Sequence, residues 1–466
     1  MKVEPDILVI GGGMAGLVAG SITASNGLDT LLVRRGNGAT AYSSGAIDVM
    51  GYPPEGADIG EYFPSTAVPF KTPAEGLEVI SSLYPYHPYG MLGYGEDNED
   101  MTEAVRQAVR ESLIWLKENL RDSCAPLVGS FEKNIQPITV LGTVKPTCLI
   151  QETMWSDNLN DDSDNVLIFV GFRGHPEFNA SAATRAYLEH QVRSGNPPYK
   201  VGHGMLEVTP FGKPYNISGI ELARHFDHEG AIAEMSEALQ QYVDRFGATH
   251  IAIPPVLGLE KAVQNRNHLE KALNVSVFEL LSFPPSVPGL RLQRALDDMY
   301  IRAGGTLLIG HEAVSASVEG KEVQKVNVRS PRRELEIHPK AVILATGKFI
   351  GGGLEADGIG LKERIFNLLS VTPDLNPTHD MFPWKATSTI SLNPNGHDLF
   401  GSGLTVDTSF RPIGDDSIES AANLFCAGSL VALYNYSLEK SGLGVALTSG
   451  RKAGIIASKW PGRWTE

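Results

Sequence analysis

The stretch of sequence that decides the fold is ILVIGGGMAG, residues 7–16. Its first four residues form a continuous apolar run, which is typical of a strand buried on both faces of a parallel sheet. Glycines follow at once, and apolar residues then recur at helical spacing at Leu17, Val18 and Ile22. A second apolar strand, TLLV, occupies residues 30–33. The chain therefore opens with a βαβ unit.

The glycines of this turn satisfy the pattern G-x-G-x-x-G and predict a site for a phosphate group. Gly11 permits a tight turn, Gly13 lets the backbone approach a phosphate, and Gly16 lets the helix pack close to the strand. Met14 and Ala15 open the helix, where free N–H groups and the helix dipole favour an anion. We expect a dinucleotide-type cofactor here; a glycine-rich turn without a ligand is the alternative.

Two arginines, Arg34 and Arg35, end the second strand. Dinucleotide-binding folds usually have an acidic residue there, which accepts hydrogen bonds from the adenosine ribose. A cation cannot accept them, so we expect the usual adenosine contact to be absent and a phosphate or a different nucleotide placement to take over. The alternative is that Arg34 is a surface charge and another residue holds the ribose.

Three further segments have the small residues that a flavoprotein needs beside its cofactor. The apolar strand at 341–344 ends in Ala345, Thr346 and Gly347, which would let the backbone pass close to a ligand. Near the carboxyl end, a strand leads to Gly428, and a later helix begins with the run Ser441, Gly442, Leu443 and Gly444. The N-terminus of that helix can stabilise negative charge on a reduced isoalloxazine.

The loop after the second strand is a fourth segment of this kind. Ser43, Ser44 and Gly45 can approach a flavin with hydroxyl groups and bare backbone. Serines also form turns by hydrogen bonding to their own backbone, which is the alternative interpretation.

A few charged or titratable residues are candidates for contact with a substrate or with the flavin. Lys348 follows the small-residue strand end and could neutralise a phosphate or a reduced flavin, or lie on the surface. Arg291 could clamp an anion with both arms of its guanidinium, or be a charge at a helix start. His87 and His379 could act as bases, although a single histidine is more often a satisfied structural residue.

Composition excludes several classes of protein. The chain has 39 basic and 54 acidic side chains, a net charge of −15, and no run of Lys and Arg, so nucleic-acid binding is not expected. No window holds 18 apolar residues in a row, which predicts a cytoplasmic protein without a membrane span of its own. Cys124, Cys148 and Cys426 are fewer than the four thiolates of a usual iron–sulfur cluster, so no metal is expected on this chain.

The patterns divide the chain into two predicted domains. Residues 1–125 and 281–466 are expected to form a discontinuous α/β domain of the Rossmann-like FAD/NAD(P)-binding kind, with a parallel sheet and a β ribbon around Gly320. Residues 126–280 have short strands and helices of their own and are expected to be an inserted α+β cap domain on the substrate side. Residues 51–90, rich in Pro, Gly and Tyr, are predicted to be an extended loop.

The order of these motifs along the chain resembles the fumarate reductase and related flavoprotein superfamily. A finer pattern is similar to the family of anaerobic glycerol-3-phosphate dehydrogenase B subunits. It consists of SSGAID at 43–48, HPY at 87–89, PPSVPG at 284–289 and GLTVD at 403–407. The His and Arg motifs with which dicarboxylate-converting members work are not found here, so the catalytic residues stay unknown.

The resemblance implies a flavin-containing subunit, with FMN as the cofactor and FAD as the alternative. It implies an FAD-containing A subunit and an iron–sulfur C subunit of the same complex as partners, and contact with the inner face of the cell membrane only through a partner. The family's complex oxidises sn-glycerol 3-phosphate to dihydroxyacetone phosphate and passes the electrons to a quinone. The alternatives are a stand-alone flavin-dependent oxidoreductase of a small organic acid and a cofactor-free assembly subunit.

Overall fold

The protein alternates β-strands and α-helices through most of its length. The computed structural model describes residues 2–53, 69–93, 101–156, 159, 164–195, 199–357, 360–378, 381–391, 393, 396–413 and 421–460. The strands are β1 (Lys2–Val3), β2 (Ile7–Ile10), β3 (Thr30–Arg34), β4 (Leu127–Gly129), β5 (Leu149–Gln151), β6 (Val166–Phe172), β7 (Lys200–Leu206), β8 (His250–Ile253), β9 (Ser276–Glu279), β10 (Thr306–Ile309), β11 (Glu312–Glu319), β12 (Glu322–Arg329), β13 (Glu334–Ile337), β14 (Ala341–Leu344), β15 (Leu354–Ala356), β16 (Leu361–Glu363) and β17 (Leu424–Cys426). The α-helices are α1 (Met14–Ser25), α2 (Pro73–Leu83), α3 (Gly90–Gly93), α4 (Met101–Leu120), α5 (Ala180–Ser194), α6 (Gly219–Phe226), α7 (Ala231–Phe246), α8 (Ala262–Leu273), α9 (Val287–Arg302), α10 (Asp398–Gly401), α11 (Tyr436–Glu439) and α12 (Gly442–Ser458).

The opening βαβ unit lies at the centre of a five-stranded sheet with the order β10-β3-β2-β14-β17. Every neighbouring pair in this sheet is parallel. The residues of β2 are at most 3% exposed, as an uninterrupted apolar run predicts for a strand covered on both faces. The predicted parallel sheet is therefore confirmed, and it joins strands from both ends of the chain.

A second sheet, β1-β13-β12-β11, forms the predicted β ribbon. Strands β11 and β12 are antiparallel, and the turn between them contains Gly320, whose φ of +58° lies in the left-handed region. Because β13 leads directly into β14, the ribbon is attached to the main sheet through a short connection.

The inserted segment forms a four-stranded sheet of its own, with the order β7-β6-β8-β9. All of its pairings are parallel, so this sheet has the α/β arrangement, which corrects the α+β arrangement expected for the segment. Parallel neighbours need crossover connections, and helices α5 to α8 supply them between successive strands. An antiparallel pair, β4-β5, precedes this sheet. The domain boundaries predicted at 126 and 280 stay predictions.

Successive residues of β6 face two separate apolar layers. Ile168 and Val170 pack into a layer with residues of α6, α7 and α8. Leu167 and Phe169 pack on the opposite face, beside Tyr187 of α5. All residues of β6 are buried, so this strand is covered on both faces and the inserted sheet has a core of its own.

Helix α2 lies within the region predicted to be an extended loop, and it corrects that prediction for residues 73–83. The helix begins with a capping box, in which Thr72 Oγ1 accepts the Glu75 N–H at 3.1 Å and the Glu75 carboxylate accepts the Thr72 N–H. The T-x-x-E pattern that signals this cap was present in the sequence. The rest of the predicted loop at 54–68 lies outside the described residues.

Arg291 on α9 forms an ion pair with the end of the inserted sheet. Its guanidinium is fully buried and donates to both carboxylate oxygens of Glu279, with Nη2 to Oε1 at 2.8 Å. Its Nε donates to the carbonyl oxygen of Gly258 at 2.6 Å. The guanidinium therefore has no arm free for an anion, and the expectation that Arg291 clamps a substrate or cofactor anion is wrong. It holds the inserted sheet against α9 instead.

We predict that Arg291→Met lowers the free energy of unfolding by about 3–5 kcal/mol, because it leaves the Glu279 carboxylate buried without its cation. Urea denaturation followed by circular dichroism measures this change. The matched control is Arg294→Met on the same helix as Arg291. It removes an exposed ion pair between Arg294 and Glu260 and should cost no more than about 1 kcal/mol. Equal losses in both variants would contradict the role given to the buried pair.

Candidate functional site

The glycine-rich turn lies tightly against the end of the neighbouring strand. Gly11 has φ of +114°, and a Cβ built on it would lie 2.2 Å from the carbonyl oxygen of Ala345. A Cβ on Gly16 would lie 1.9 Å from the carbonyl oxygen of Gly11. Side chains at these two glycines would push β2 away from β14 and α1 away from the turn. The predicted tight turn and close helix packing are therefore present.

Helices α1 and α12 cross where both have small residues. A Cβ on Gly450 would lie 2.5 Å from the carbonyl oxygen of Ala15, and one on Gly454 would lie 2.8 Å from that of Ala19. A Cβ on Gly428 would meet the Ala15 side chain at 2.8 Å, which places the end of β17 at the same crossing. The structure thus brings the amino-terminal turn and two of the predicted carboxyl-terminal segments together.

Arg34 is buried and paired. Its Nη1 and Nη2 donate to the two carboxylate oxygens of Asp297 on α9, at 2.7 and 2.6 Å, and Nη1 also lies 3.3 Å from the carbonyl oxygen of Gly12. The interpretation of Arg34 as a surface charge is therefore wrong; Asp297 holds its Nη1 and Nη2, while its Nε is buried without a hydrogen-bond partner among the described residues. Arg35 is exposed and pairs with Glu312 at 3.4 Å, so it too faces a carboxylate.

The start of α1 contacts the loop that follows β3. The Met14 N–H donates to Thr40 Oγ1 at 2.9 Å. Ser43 Oγ donates to the Thr40 carbonyl oxygen at 2.7 Å and accepts the Gly45 N–H, so it has the turn-forming role that was the alternative. Ser44 is half-buried, and its hydroxyl has no hydrogen bond within the described part of the chain.

Lys348 is buried, which excludes the surface position considered for it. Its Nζ donates to the carbonyl oxygen of Phe400 and lies 5.0 Å from the ring centre of Tyr434 and 5.6 Å from that of Tyr436. Burial lowers the pKa of Lys348 to about 7, although the carboxylate of Glu439 acts in the opposite direction. A lysine in this state can hold or release a proton near neutral pH.

Glu439 is the centre of a buried polar cluster just before α12. Its Oε2 accepts from Ser441 Oγ at 2.8 Å and faces His87 Nε2 at 3.2 Å, and its Oε1 accepts the Asn435 N–H at 2.8 Å. Burial alone would raise the pKa of Glu439, but these partners outweigh it and the net shift is downward. Glu439 is therefore an ionised carboxylate in the interior.

His87 belongs to this cluster, but both of its ring nitrogens are engaged. Nδ1 accepts the Tyr89 N–H at 3.0 Å, which leaves Nε2 as the protonated nitrogen that donates to Glu439. His87 is therefore a satisfied, buried residue that holds Glu439, rather than an open base. His379, the other candidate histidine, lies outside the described residues.

Sequence reasoning missed the buried residues that surround Lys348. Glu439, Tyr434 and Tyr436 belong to the segment YNYSLEKSG, residues 434–442, which leads into the glycine-rich start of α12. An acidic residue just before such a helix start was the available signal. From the sequence alone this signal did not indicate a buried site, because acidic residues in loops are usually solvated.

The ring end of the site has polar groups that a bound flavin would satisfy. Thr346 Oγ1 and Tyr434 OH are buried without a hydrogen-bond partner among the described residues, whereas such groups are nearly always paired in native proteins. At the start of α12, the carbonyl oxygen of Asp48 accepts the Gly444 N–H at 3.0 Å, and the N–H groups of Gly442 and Leu443 have no partner in the described segments. The residues present therefore fit a flavin ring.

At the opposite end of the site, the acidic residue Asp297 is held by neighbouring side chains. Both carboxylate oxygens of Asp297 are engaged by Arg34, and Oδ1 also accepts from Gln293 Nε2 at 2.9 Å. Gln293 Nε2 additionally donates to the carbonyl oxygen of Gly12 at 2.9 Å, so α9 covers this side of the glycine-rich turn.

The chain belongs to the family of FAD-binding domains. The family model matches residues 6–445. A Vibrio vulnificus protein named as the B subunit of anaerobic glycerol-3-phosphate dehydrogenase is 27% identical over 458 residues, which cover 96% of this chain and 95% of that one. A Halobacterium salinarum protein named as the probable B subunit of the same enzyme is 29% identical and covers 98% and 99% of the two chains. These relatives confirm the resemblance inferred from the motifs.

Among solved structures, the open conformation of a flavocytochrome c3 fumarate reductase aligns with 98% of this chain and 78% of its own, at 10% identity and a TM-score of 0.41. No helix in the described segments has both the length and the apolar character needed to cross a bilayer.

We predict that the stability of the flavin-free chain rises with pH between about 7 and 10, because of Lys348. Below pH 7 the amine is protonated in the folded and the unfolded chain alike. Between that pH and the usual lysine pKa of 10.5, only the unfolded chain keeps the proton, so raising the pH favours folding by up to about 1.4 kcal/mol per unit.

Lys348→Met should abolish this dependence and be more stable than the parent at pH 7.5. Urea denaturation at pH 7.5 and 9.5 measures both effects, with the exposed Lys385→Met as the matched control. If the free energy of unfolding changed with pH in the same way in the parent and in Lys348→Met, the prediction would be wrong, and Lys348 would keep its charge in the folded chain.

Proposed function

We propose that this protein is the flavin-containing subunit of an anaerobic glycerol-3-phosphate dehydrogenase. In this proposal the complex oxidises sn-glycerol 3-phosphate to dihydroxyacetone phosphate, and the electrons pass through this chain towards a partner. The observation that carries the proposal is the match to relatives of that name along almost the whole length of both chains. The buried cluster around Lys348 and Glu439 at the flavin-ring end supports it, since redox chemistry on a flavin needs charge control and exclusion of water.

We propose FMN as the cofactor, with FAD as the alternative. The ion pair between Arg34 and Asp297 favours FMN, because a cation stands at the end of β3, where an acidic residue usually accepts from an adenosine ribose, and the carboxylate of Asp297 is held by that cation. The description of the matched family favours FAD. In either case the ring would lie between the end of β14, the start of α12 and the loop that contains Ser44 and Gly45.

The protein's own residues would control charge and protons around the ring. When bound, a flavin supplies the acceptor for the two electrons removed from the alcohol. The free N–H groups of Gly442 and Leu443 would stabilise negative charge at the start of α12. Lys348, with its pKa near 7, would supply or take a proton at Nζ, and Glu439 keeps that ammonium from losing its proton entirely. His87 and Ser441 hold Glu439 in place.

We propose an FAD-containing A subunit and an iron–sulfur C subunit as partners, with the membrane reached only through a partner at its inner face. Burial raises the pKa of the Cys148 thiol and of the Cys426 thiol, which keeps both protonated and unsuited to ligate a cluster. Electrons that leave the flavin would therefore go to an acceptor on another chain.

The test is to purify the chain alone and with its partner subunits, release the flavin by denaturation and identify it. We expect FMN, and bleaching of the flavin by glycerol 3-phosphate under anaerobic conditions in the complex. FAD together with bleaching of the isolated chain by an organic acid would support the stand-alone oxidoreductase, and a colourless, folded chain would support the cofactor-free assembly role.

A substitution in the glycine-rich turn tests where the cofactor lies. Gly13→Val should lose at least nine-tenths of the flavin, because a branched side chain would enter the phosphate approach. The fold should tolerate the change, since the contact made by its first side-chain atom would be with Thr40 Oγ1 at 3.3 Å. The matched control is Gly36→Val, whose Cβ would meet no atom within 4 Å, and which should keep its flavin. A yellow Gly13→Val protein would show that the cofactor lies elsewhere.

A double substitution that exchanges Arg34 for a carboxylate tests whether this position selects between the two flavins. In Arg34→Asp/Asp297→Asn the cation and its partner carboxylate are both removed, so the new carboxylate at the end of β3 has no arginine partner and can accept from a ribose. We expect the ratio of FAD to FMN affinity to rise at least tenfold, measured by reconstitution of the flavin-free chain. Arg35→Asp is the matched control and should leave the ratio unchanged; an unchanged ratio in the exchanged variant as well would locate the selection elsewhere.

A further inference from the structure

The sheet of the inserted segment has a topological switch point between β6 and β8. From β6 the chain crosses through α5 to β7 on one side, and from β7 it returns through α6 and α7 to β8 on the other side. Connections that leave in opposite directions open a crevice beyond the carboxyl ends of the two strands. In open α/β sheets this crevice is where ligands bind.

A cavity of about 240 Å³ lies at this switch point. Its lining comes from the segment after β6, the segment after β8 and the segment after β9, and includes His175, Glu177, Pro254, Pro255, Ser282 and Phe283. None of the residues assigned above to the flavin lines it. The cavity is large enough for a ligand of several heavy atoms and belongs to a part of the chain that has its own core.

His175 is the polar residue that points to a ligand. It is only 5% exposed, and its Nδ1 lies 2.8 Å from the carbonyl oxygen of Ile217. A carbonyl can only accept, so Nδ1 carries the proton of the neutral ring, and the lone pair of that tautomer is at Nε2. Nε2 has no hydrogen-bond partner in the described part of the chain, although the residue lines the cavity.

Glu177 supplies a second acceptor at the same place. Its Oε2 accepts the N–H of Gly219, the first residue of α6, at 3.2 Å. A Cβ built on Gly219 would lie 3.1 Å from that oxygen and 3.7 Å from His175 Cε1, so both side chains border one small space. Because the carboxylate already faces the start of α6, this helix end is not open to an anion.

The lining has acceptors and one negative charge but no Lys or Arg side chain among the described residues. Ser282, which also lines the cavity, donates its hydroxyl proton to Ser286 Oγ at 3.4 Å, so its oxygen is left as an acceptor. Four prolines, three valines and Phe283 give the remaining walls an apolar surface. A phosphate or a carboxylate would face acceptor side chains here. A cation with hydrogen-bond donors could pair with these acceptors, and an apolar body on the same ligand could pack against the prolines, valines and Phe283.

The geometry points to a second ligand site in this protein, at the carboxyl ends of β6 and β8, that binds a small organic ammonium ion. In this site the ammonium group donates to His175 Nε2 and to the Glu177 carboxylate, and the body of the ligand contacts the prolines and Phe283. This site is independent of the flavin and of the oxidation proposed above.

Three ring compounds of one shape test the chemistry: cyclopentylamine, cyclopentanol and cyclopentanecarboxylate. Binding to the full-length, flavin-loaded protein is measured by saturation-transfer NMR titration. We expect the amine to bind at least tenfold more tightly than the alcohol and the carboxylate not to bind. Equal affinity of amine and alcohol, preference for the carboxylate, or no binding of any of the three would overturn the proposal.

Glu177→Gln tests the assignment without removing the hydrogen bond to Gly219, because an amide oxygen can accept it. We expect the affinity for cyclopentylamine to fall at least tenfold, to the level of the alcohol. Glu237→Gln, an exposed change on α7, is the matched control and should leave binding unchanged. Unchanged amine binding in Glu177→Gln would overturn the site. The flavin content of Glu177→Gln should equal that of the parent. A failed amine-binding test is therefore distinguishable from a failure of the proposed flavin function.

Discussion

The architecture depends on the absence of side chains where α1 crosses α12. Gly450 and Gly454 lie against the backbone of Ala15 and Ala19, at distances that a Cβ would not permit. This contact fastens the last helix of the described chain to the first one, and the start of α12 lies beside Asp48 and Val49, with the Gly444 N–H donating to the Asp48 carbonyl oxygen. The candidate flavin site exists only because of that arrangement, since one wall comes from each end of the sequence. A methyl group at the crossing would separate the two walls.

Buried charge has two distinct uses in this molecule. Arg291 with Glu279, and Arg34 with Asp297, are complete ion pairs that connect α9 to the inserted sheet and to the end of β3. Such pairs add little net stability but cost a great deal when one partner is removed, so they fix positions. Lys348 is different, because burial lowers its pKa while a single carboxylate compensates incompletely. An ionisable group left in that state is typical of sites where protons move.

The inserted sheet is a compact α/β unit with its own apolar layers, and α9 joins it to the flavin-binding part through Arg291. Its strand ends border a cavity whose acceptors differ in kind from the N–H donors and the amine at the flavin site. One part of the chain is thus suited to anionic groups and the other to cationic ones. The physical basis is the choice of groups at the strand ends: free backbone N–H groups at the candidate flavin site, and a carboxylate and a histidine ring at the cavity.

The amino-acid sequence by itself determined the central parallel sheet, the β ribbon and the glycine-rich turn, because apolar runs and glycine patterns are local signals that survive without tertiary contacts. It also predicted that Thr346, Gly442 and Gly444 lie beside a cofactor, and that prediction stays a prediction. Only the tertiary structure decided the roles of the charged residues. Whether Arg34, Arg291 or Lys348 faces solvent, a carboxylate or an aromatic ring depends on partners 12 to 263 positions away in the chain, on other elements of the fold, and no local pattern encodes such contacts.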